Sequence, residues 1–229
     1  MTDARLRAVL FDLDGTLVDT LPDIAAAMNA ALTGMGLRTL NVERIGSFVG
    51  KGPRTLALRV LDEQPTLNAI ERNACIETLL GAYVKNYEPR VGRQSALYAG
   101  VIETLESLAA RGLKLAVVTN ALQHLAEAIL ARFYLARFMT LVIGGDRVAR
   151  GKPHPEALLT ACQLLGVVPE QTLMVGDSEN DVLAARAAGC AVVAVPYGYR
   201  AGEPAESLGC DVLSSFGSLQ TWIAEYRAT

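Results

Sequence analysis

The sequence has little with which to cross-link itself or to hold a soft-ligand metal. Its four cysteines, Cys75, Cys162, Cys190 and Cys210, are widely spaced and form no CxxC pair. That argues against a disulfide framework and a structural zinc site, and the cysteines read as small core residues. No uncharged apolar run approaches the roughly 18 residues that a membrane span needs. Met1–Arg7 passes directly into a strand-like run without the apolar region of a secretory leader. Neither sign of charge dominates: 21 Lys/Arg against 24 Asp/Glu leave a net charge of −3. A mildly acidic chain lacks the basic field that neutralises nucleic-acid phosphates. Internal repeats and low-complexity stretches are absent too. These absences predict a cytoplasmic protein, monomeric or homodimeric, that binds neither membrane nor nucleic acid.

What remains is a chain of 229 residues, 51% of them hydrophobic, long enough to bury a substantial core. Short apolar runs at Ala8–Phe11, Leu113–Val118, Leu141–Ile143, Thr172–Val175 and Ala191–Val195 each stop at a polar or glycine-rich turn. Runs of this kind mark strands buried on both faces of a parallel sheet. Helical stripes lie between them: Val101, Leu105 and Leu108; Leu122, Leu125, Ala126, Ile129, Leu130 and Phe133; Leu158, Ala161, Leu164 and Leu165. The alternation predicts a doubly wound, Rossmann-like α/β fold. From Asp19 to Ser95 no parallel strand is legible, but two helical stripes are, Ile24–Met28–Ala31–Leu32 and Ile76–Leu79–Leu80–Tyr83–Tyr87. We therefore expect a core of residues 1–18 and 96–229 interrupted by a helical subdomain over 19–95, with Tyr87–Ala96 as the return linker. Between Thr20 and Ser95 nine Lys/Arg face seven Asp/Glu, a net of +2 that leaves −5 for the remainder. The sign suits an anionic substrate.

The chemistry-bearing residues stand at the ends of the expected strands. In Phe11-Asp12-Leu13-Asp14-Gly15-Thr16-Leu17, two carboxylates two residues apart lean to one side of an extended chain, and Gly15 permits the turn that follows. Both acids then lie at the carboxyl edge of the sheet, where open α/β folds bind ligands. Val175-Gly176-Asp177-Ser178-Glu179-Asn180-Asp181 ends another strand and opens a helix, so Asp177 and Asp181 face one site across its first turn. Helix capping would account for one of these acids. It does not account for two acid-rich strand ends in one sheet. Clustered carboxylates call for a hard cation, and oxygen-only ligation points to Mg²⁺. Thr119, in Val118-Thr119-Asn120 before a helix, reads equally as a phosphate ligand or an N-cap. Lys152 stands in the constrained loop Gly151-Lys152-Pro153-His154-Pro155-Glu156.

In this order, Asp12-Leu13-Asp14-Gly15-Thr16, Thr119, Lys152 and Gly176-Asp177-Ser178 with Asp181 resemble the four motifs of the haloacid dehalogenase superfamily, over nearly the whole chain. The insertion after the first motif resembles the cap of its phosphoglycolate phosphatase branch. So do the strings Leu17-Val18-Asp19-Thr20 and Leu97-Tyr98-Ala99-Gly100-Val101. The resemblance implies that Asp12 is a nucleophile forming an aspartyl-phosphate, and that Asp14 protonates the leaving alkoxide and then activates water. It implies Mg²⁺ on Asp12, the backbone carbonyl of Asp14 and Asp177, with Asp181 one step removed. Three carboxylates and a phosphate dianion outweigh Mg²⁺ and Lys152, so the N–H groups after Thr119 are needed as well.

The expected activity is hydrolysis of a small phosphorylated metabolite, with 2-phosphoglycolate leading. Sugar and amino-sugar phosphates follow, then nucleotides and pyrophosphate. A phosphoglucomutase-like transferase and a binding protein without turnover are the rivals. Asp14, which a halide-releasing enzyme or a pure binder does not need, favours phosphate hydrolysis. Candidate substrate-binding positions are Gly15, Asn120 and, in Val49-Gly50-Lys51-Gly52-Pro53-Arg54, the cations Lys51 and Arg54. Ala121 stands where many relatives carry a lysine. His124, His154 and Trp222 read as structural, the last in a terminal amphipathic helix over Phe216–Tyr226.

Overall fold

A computed structural model describes residues 6–226. Residues 1–5, most of the segment read above for a leader, lie outside the described residues. Six strands form one parallel sheet: β1 (Ala8–Phe11), then, after a two-stranded ribbon of β2 (Val18–Asp19) and β3 (Ala96–Leu97), β4 (Lys114–Val118), β5 (Leu141–Ile143), β6 (Thr172–Gly176), β7 (Ala191–Ala194) and β8 (Asp211–Val212). Their spatial order is β5-β4-β1-β6-β7-β8. β1 lies at the centre and its four residues are fully buried, as an uninterrupted apolar run requires. Five strands fall where the apolar runs place them. β8, two residues long on the sheet edge, is too short to leave a run in the sequence.

Alternate strand residues feed two layers. Ala8, Leu10, Ala116, Val118 and Met174 pack with Leu158, Ala161 and Leu165 of one helix and Ala184 and Ala185 of another. Val9, Phe11, Leu115, Val117 and Val175 face the opposite layer, with Leu105, Leu125, Ile129 and Leu219. In chain order the helices are α1 (Leu21–Gly34), α2 (Val42–Gly46), α3 (Pro53–Asp62), α4 (Ala69–Tyr87), α5 (Val101–Ala110), α6 (Gln123–Arg132), α7 (Glu156–Leu165), α8 (Glu179–Ala188) and α9 (Leu219–Glu225). Leu164, expected on the buried stripe of α7, is instead 66% exposed. Six residues beyond Leu158 at about 100° each carry it to the far side of the helix. All four cysteines are free thiols; Cys162 and Cys190 are buried, Cys75 and Cys210 half-buried.

Between β2 and β3 the chain is helical throughout. α4 packs on α1 and α3, and it starts from a capping box in which Asn68 accepts from the Glu71 N–H while Glu71 accepts from that of Asn68. α2 is five residues long, too short to show a stripe in the sequence, and α3 is not among the stripes read there. The outgoing and returning chains pair antiparallel, Val18 with Leu97 and Asp19 with Ala96. Asp23, buried in the first turn of α1, accepts from the N–H groups of Arg93, Gln94 and Ser95 and from the Ser95 hydroxyl. One carboxylate thus fastens the return segment to the start of α1.

Candidate active site

Strand register brings the motifs together. Phe11 is paired with Val117 on one side and Val175 on the other, so the residues that follow β1, β4 and β6 emerge side by side. They are Asp12, Thr119 and Asp177. The Asp12 N–H still bonds to Val175 O at 2.9 Å, which holds its carboxylate at the sheet edge. Gly15 then turns the chain with φ +85°, and a Cβ there would lie 2.8 Å from Asp177 Oδ2. Here glycine serves both the left-handed backbone and the close approach of the second acid.

Lys152 joins two of the acids. Its Nζ lies 2.9 Å from Asp12 Oδ1 and 2.6 Å from Asp181 Oδ1, with all three side chains buried. The same Asp12 oxygen accepts from the Leu13 N–H at 2.7 Å. Asp181 Oδ2 accepts from the Ser178 N–H at 3.1 Å and its hydroxyl at 2.7 Å, the capping box of α8. Both oxygens of Asp181 are therefore engaged. Asp177 accepts from the Thr16 hydroxyl and, at 2.7 Å, from the Tyr199 N–H. Asp14 Oδ1 accepts from the Thr20 hydroxyl at 2.5 Å.

Burial of like charges shows in the proton affinities. Desolvation, more than the neighbouring acids, holds the Asp12 carboxyl well above the usual carboxylate range, against the pull of Lys152. The same cause, with Asp181 second, pushes Asp177 up to about 7. Burial raises Asp14 against the lowering hydrogen bond from Thr20. Lys152 goes up because Asp12 and Asp181 outweigh its own desolvation. Asp12, Asp177 and Asp181 each offer a carboxylate oxygen within 4.8 Å of the others, and this buried acidic triad could hold a metal ion. An all-oxygen, net-negative donor set suits a hard divalent cation.

The remaining expected residues divide. Thr119 is buried, but it does not cap α6; that position is Leu122, and the Thr119 hydroxyl accepts from the Ala121 N–H at 3.1 Å. Asn120 donates through Nδ2 to Lys152 O and to Gly50 O, both at 2.8 Å, and Asn180 reaches the same Gly50 carbonyl at 3.2 Å. Two asparagines beside the strand ends thus grip one carbonyl of the insertion. Lys51 and Arg54 are not brought to the acids: Lys51 is exposed, and Arg54, 65% exposed, pairs with Glu77 at 3.1 Å. His124 is likewise exposed, 3.3 Å from Glu88, and the His154 ring accepts from the Glu156 N–H.

A cavity of about 50 Å³ lies between strand edge and insertion. Asp12, Asp14, Thr119 and Asn120 line one side; Ile24, Gly50, Leu56, Tyr83 and Tyr87 line the other. Two contributors are not among the expected site residues, although Thr20 closes the string Leu17-Val18-Asp19-Thr20. Thr20 orients Asp14. Tyr199, in the loop after β7, donates its N–H to Asp177 and its hydroxyl to Asp19 at 2.7 Å, and that hydroxyl accepts from the Thr20 and Leu21 N–H groups at 2.7 and 2.9 Å. Beside it, Gly198 has φ +120°, and a Cβ there would collide with the Asp177 carboxylate, a closeness that nothing in the sequence marks.

Residues 9–195 match the family model described as haloacid dehalogenase-like hydrolase. The chain belongs to that family. A phosphoglycolate phosphatase of Chromobacterium violaceum is 41% identical over 91% of both chains, and one of Thiobacillus denitrificans 37% over the same shares. Among solved structures, a predicted phosphoglycolate phosphatase from Haemophilus somnus superposes with a TM-score of 0.89 at 32% identity, covering 97% of this chain and 99% of that one. No helix among the described residues is long and apolar enough to cross a membrane.

Proposed function

We propose that this hydrolase is a Mg²⁺-dependent phosphomonoesterase that acts on 2-phosphoglycolate through a phosphorylated Asp12, with residues 19–95 as a cap over a core of 1–18 and 96–229. One observation carries the reading: Asp12, held on Lys152 at the end of the central strand, lines a small cavity under the insertion with Asp14 beside it. The relatives named phosphoglycolate phosphatase support the substrate.

An Asp12 oxygen attacks phosphorus as the bond to the glycolate oxygen breaks, and Asp14 gives that oxygen its proton. Its raised affinity for protons keeps Asp14 able to donate, and Thr20 holds it in place. Asp14 then takes a proton from the water that attacks the phosphorus of the acyl-phosphate, which frees phosphate and restores the Asp12 carboxylate. Lys152 stays protonated and balances charge beside Asp12, while Thr119 and the N–H groups that follow it receive phosphoryl oxygens. Asp12, Asp177 and the Asp14 carbonyl would hold the metal, with Asp181 fixing Lys152 instead of ligating. When bound, Mg²⁺ supplies counter-charge to the phosphoryl oxygens.

The test is phosphate release from a panel of 2-phosphoglycolate, hexose and amino-sugar phosphates and mononucleotides, with and without Mg²⁺, using Asp12→Asn as the blank. We expect 2-phosphoglycolate to lead in kcat/KM by about 100-fold, near 3 kcal/mol of discrimination. A flat profile would leave a general phosphatase. No Mg²⁺-dependent release from any member would leave a binding protein.

A further inference from the structure

The part of the cavity that receives the leaving group contains no cationic side chain among the described residues. A carboxylate entering it needs donors of another kind, and the structure supplies two. The first is the start of α3. Gly52, Pro53 and Leu56 put its opening turn on the cavity wall. That turn has no side-chain cap and no acidic residue, and the N–H groups of Arg54 and Thr55 meet no acceptor among the described residues. Free N–H groups of a first turn point back past the helix start and carry the positive end of its dipole.

The second is Tyr87. It comes from the last turn of α4, borders the same cavity and is only 2% exposed. Its phenolic oxygen is buried without a hydrogen-bond partner. A buried hydroxyl left unpaired costs stability, so its persistence calls for a ligand. The ring is fixed by stacking on Tyr83, 5.6 Å between centroids and 15° between planes. Burial first, and the Asp14 charge next, push its pKa up, so the phenol keeps its proton and donates. Ile24, Val49, Leu56, Leu122, Leu125 and Ile129 supply apolar wall to the same cavity, which strengthens a polar contact formed beside them.

We propose that the uncapped first turn of α3 and the Tyr87 hydroxyl together form the subsite for the carboxylate of 2-phosphoglycolate, in place of Lys51 and Arg54. The inference rests on the substrate reading above. It also explains how a cavity with no cationic wall could prefer an anionic leaving group: dipole and phenol select it without a buried lysine or arginine.

The experiment compares 2-phosphoglycolate with isobutyl phosphate, in which two methyl groups replace the carboxylate oxygens. Tyr87→Phe removes only an unpartnered hydroxyl, so its Tm is expected at or above the wild-type value. Its KM for 2-phosphoglycolate should rise about tenfold with kcat nearly unchanged, and isobutyl phosphate should be unaffected. Thr55→Asp places a carboxylate where helix starts favour one, so the fold holds while the substrate is repelled. It too should raise KM for 2-phosphoglycolate, by about tenfold or more, and spare the isobutyl ester. Retention of the wild-type preference by both variants, or equal losses on both esters, overturns the subsite and leaves the substrate reading standing. A wild-type enzyme with no preference between the esters overturns the substrate reading and this inference with it.

Discussion

Lys152→Met is the most informative single change, because Lys152 neutralises the acidic cluster and, in the proposed reaction, balances charge beside Asp12. Its Nζ stands 2.9 Å from Asp12 and 2.6 Å from Asp181, with 2% of the side chain exposed. At an effective dielectric of about 20, unit charges at these separations attract by about 6 kcal/mol each. Desolvating three ions offsets most of that, so the net cost of breaking the buried pairs is about 3–5 kcal/mol. Methionine keeps the apolar stem and leaves Asp12 and Asp181 facing each other uncompensated. We expect that loss in urea unfolding at pH 8 with metal chelated, and a fall in kcat of about 10²–10³ with Mg²⁺ present, as for removal of one charge-stabilising donor. Lowering the pH should restore part of the stability, since the carboxylates can then take protons, but none of the turnover. A variant within tenfold of wild-type turnover, or one destabilised by less than about 1 kcal/mol, refutes the assignment.

Tyr199→Phe removes one hydroxyl that serves Asp19, Thr20 and Leu21 but keeps the N–H that holds Asp177. The expected result is a loss of about 1–3 kcal/mol in thermal or urea denaturation, with the metal dissociation constant unchanged in a titration. The metal-free protein should lose stability as pH rises between about 4 and about 7. Asp177 has a folded pKa raised from 3.8 to about 7, so the folded state binds the extra proton and ionisation at higher pH is resisted. A Tm measured with chelator should therefore be lower at pH 8 than at pH 5.5, and excess Mg²⁺ should flatten the difference. A metal-free Tm that climbs over this window contradicts the burial of the acids.

The sequence was most legible where position follows from a strand end. Asp12, Thr119 and Asp177 each sit one or two residues beyond a paired apolar run, and register alone brings them together. It was least legible where position depends on how the insertion docks. Nothing local marks Gly50 as the carbonyl gripped by Asn120 and Asn180, Thr20 as the donor to Asp14, or Tyr199 as a link between Asp177 and the start of α1. Lys51 and Arg54 mark the same boundary. Reading anion recognition from cations is sound chemistry in water, but a lysine or arginine pointed into a largely buried cavity must be desolvated, which is costly without a partner already in place. Arg54 takes Glu77 at the surface instead. Main-chain N–H groups at a helix start and a phenol carry no formal charge, so burying them is cheaper. Composition and charge patterning therefore point away from the atoms best placed to choose the leaving group. Those atoms emerge only once α3 and α4 are seen to meet over Asp12 and Asp14.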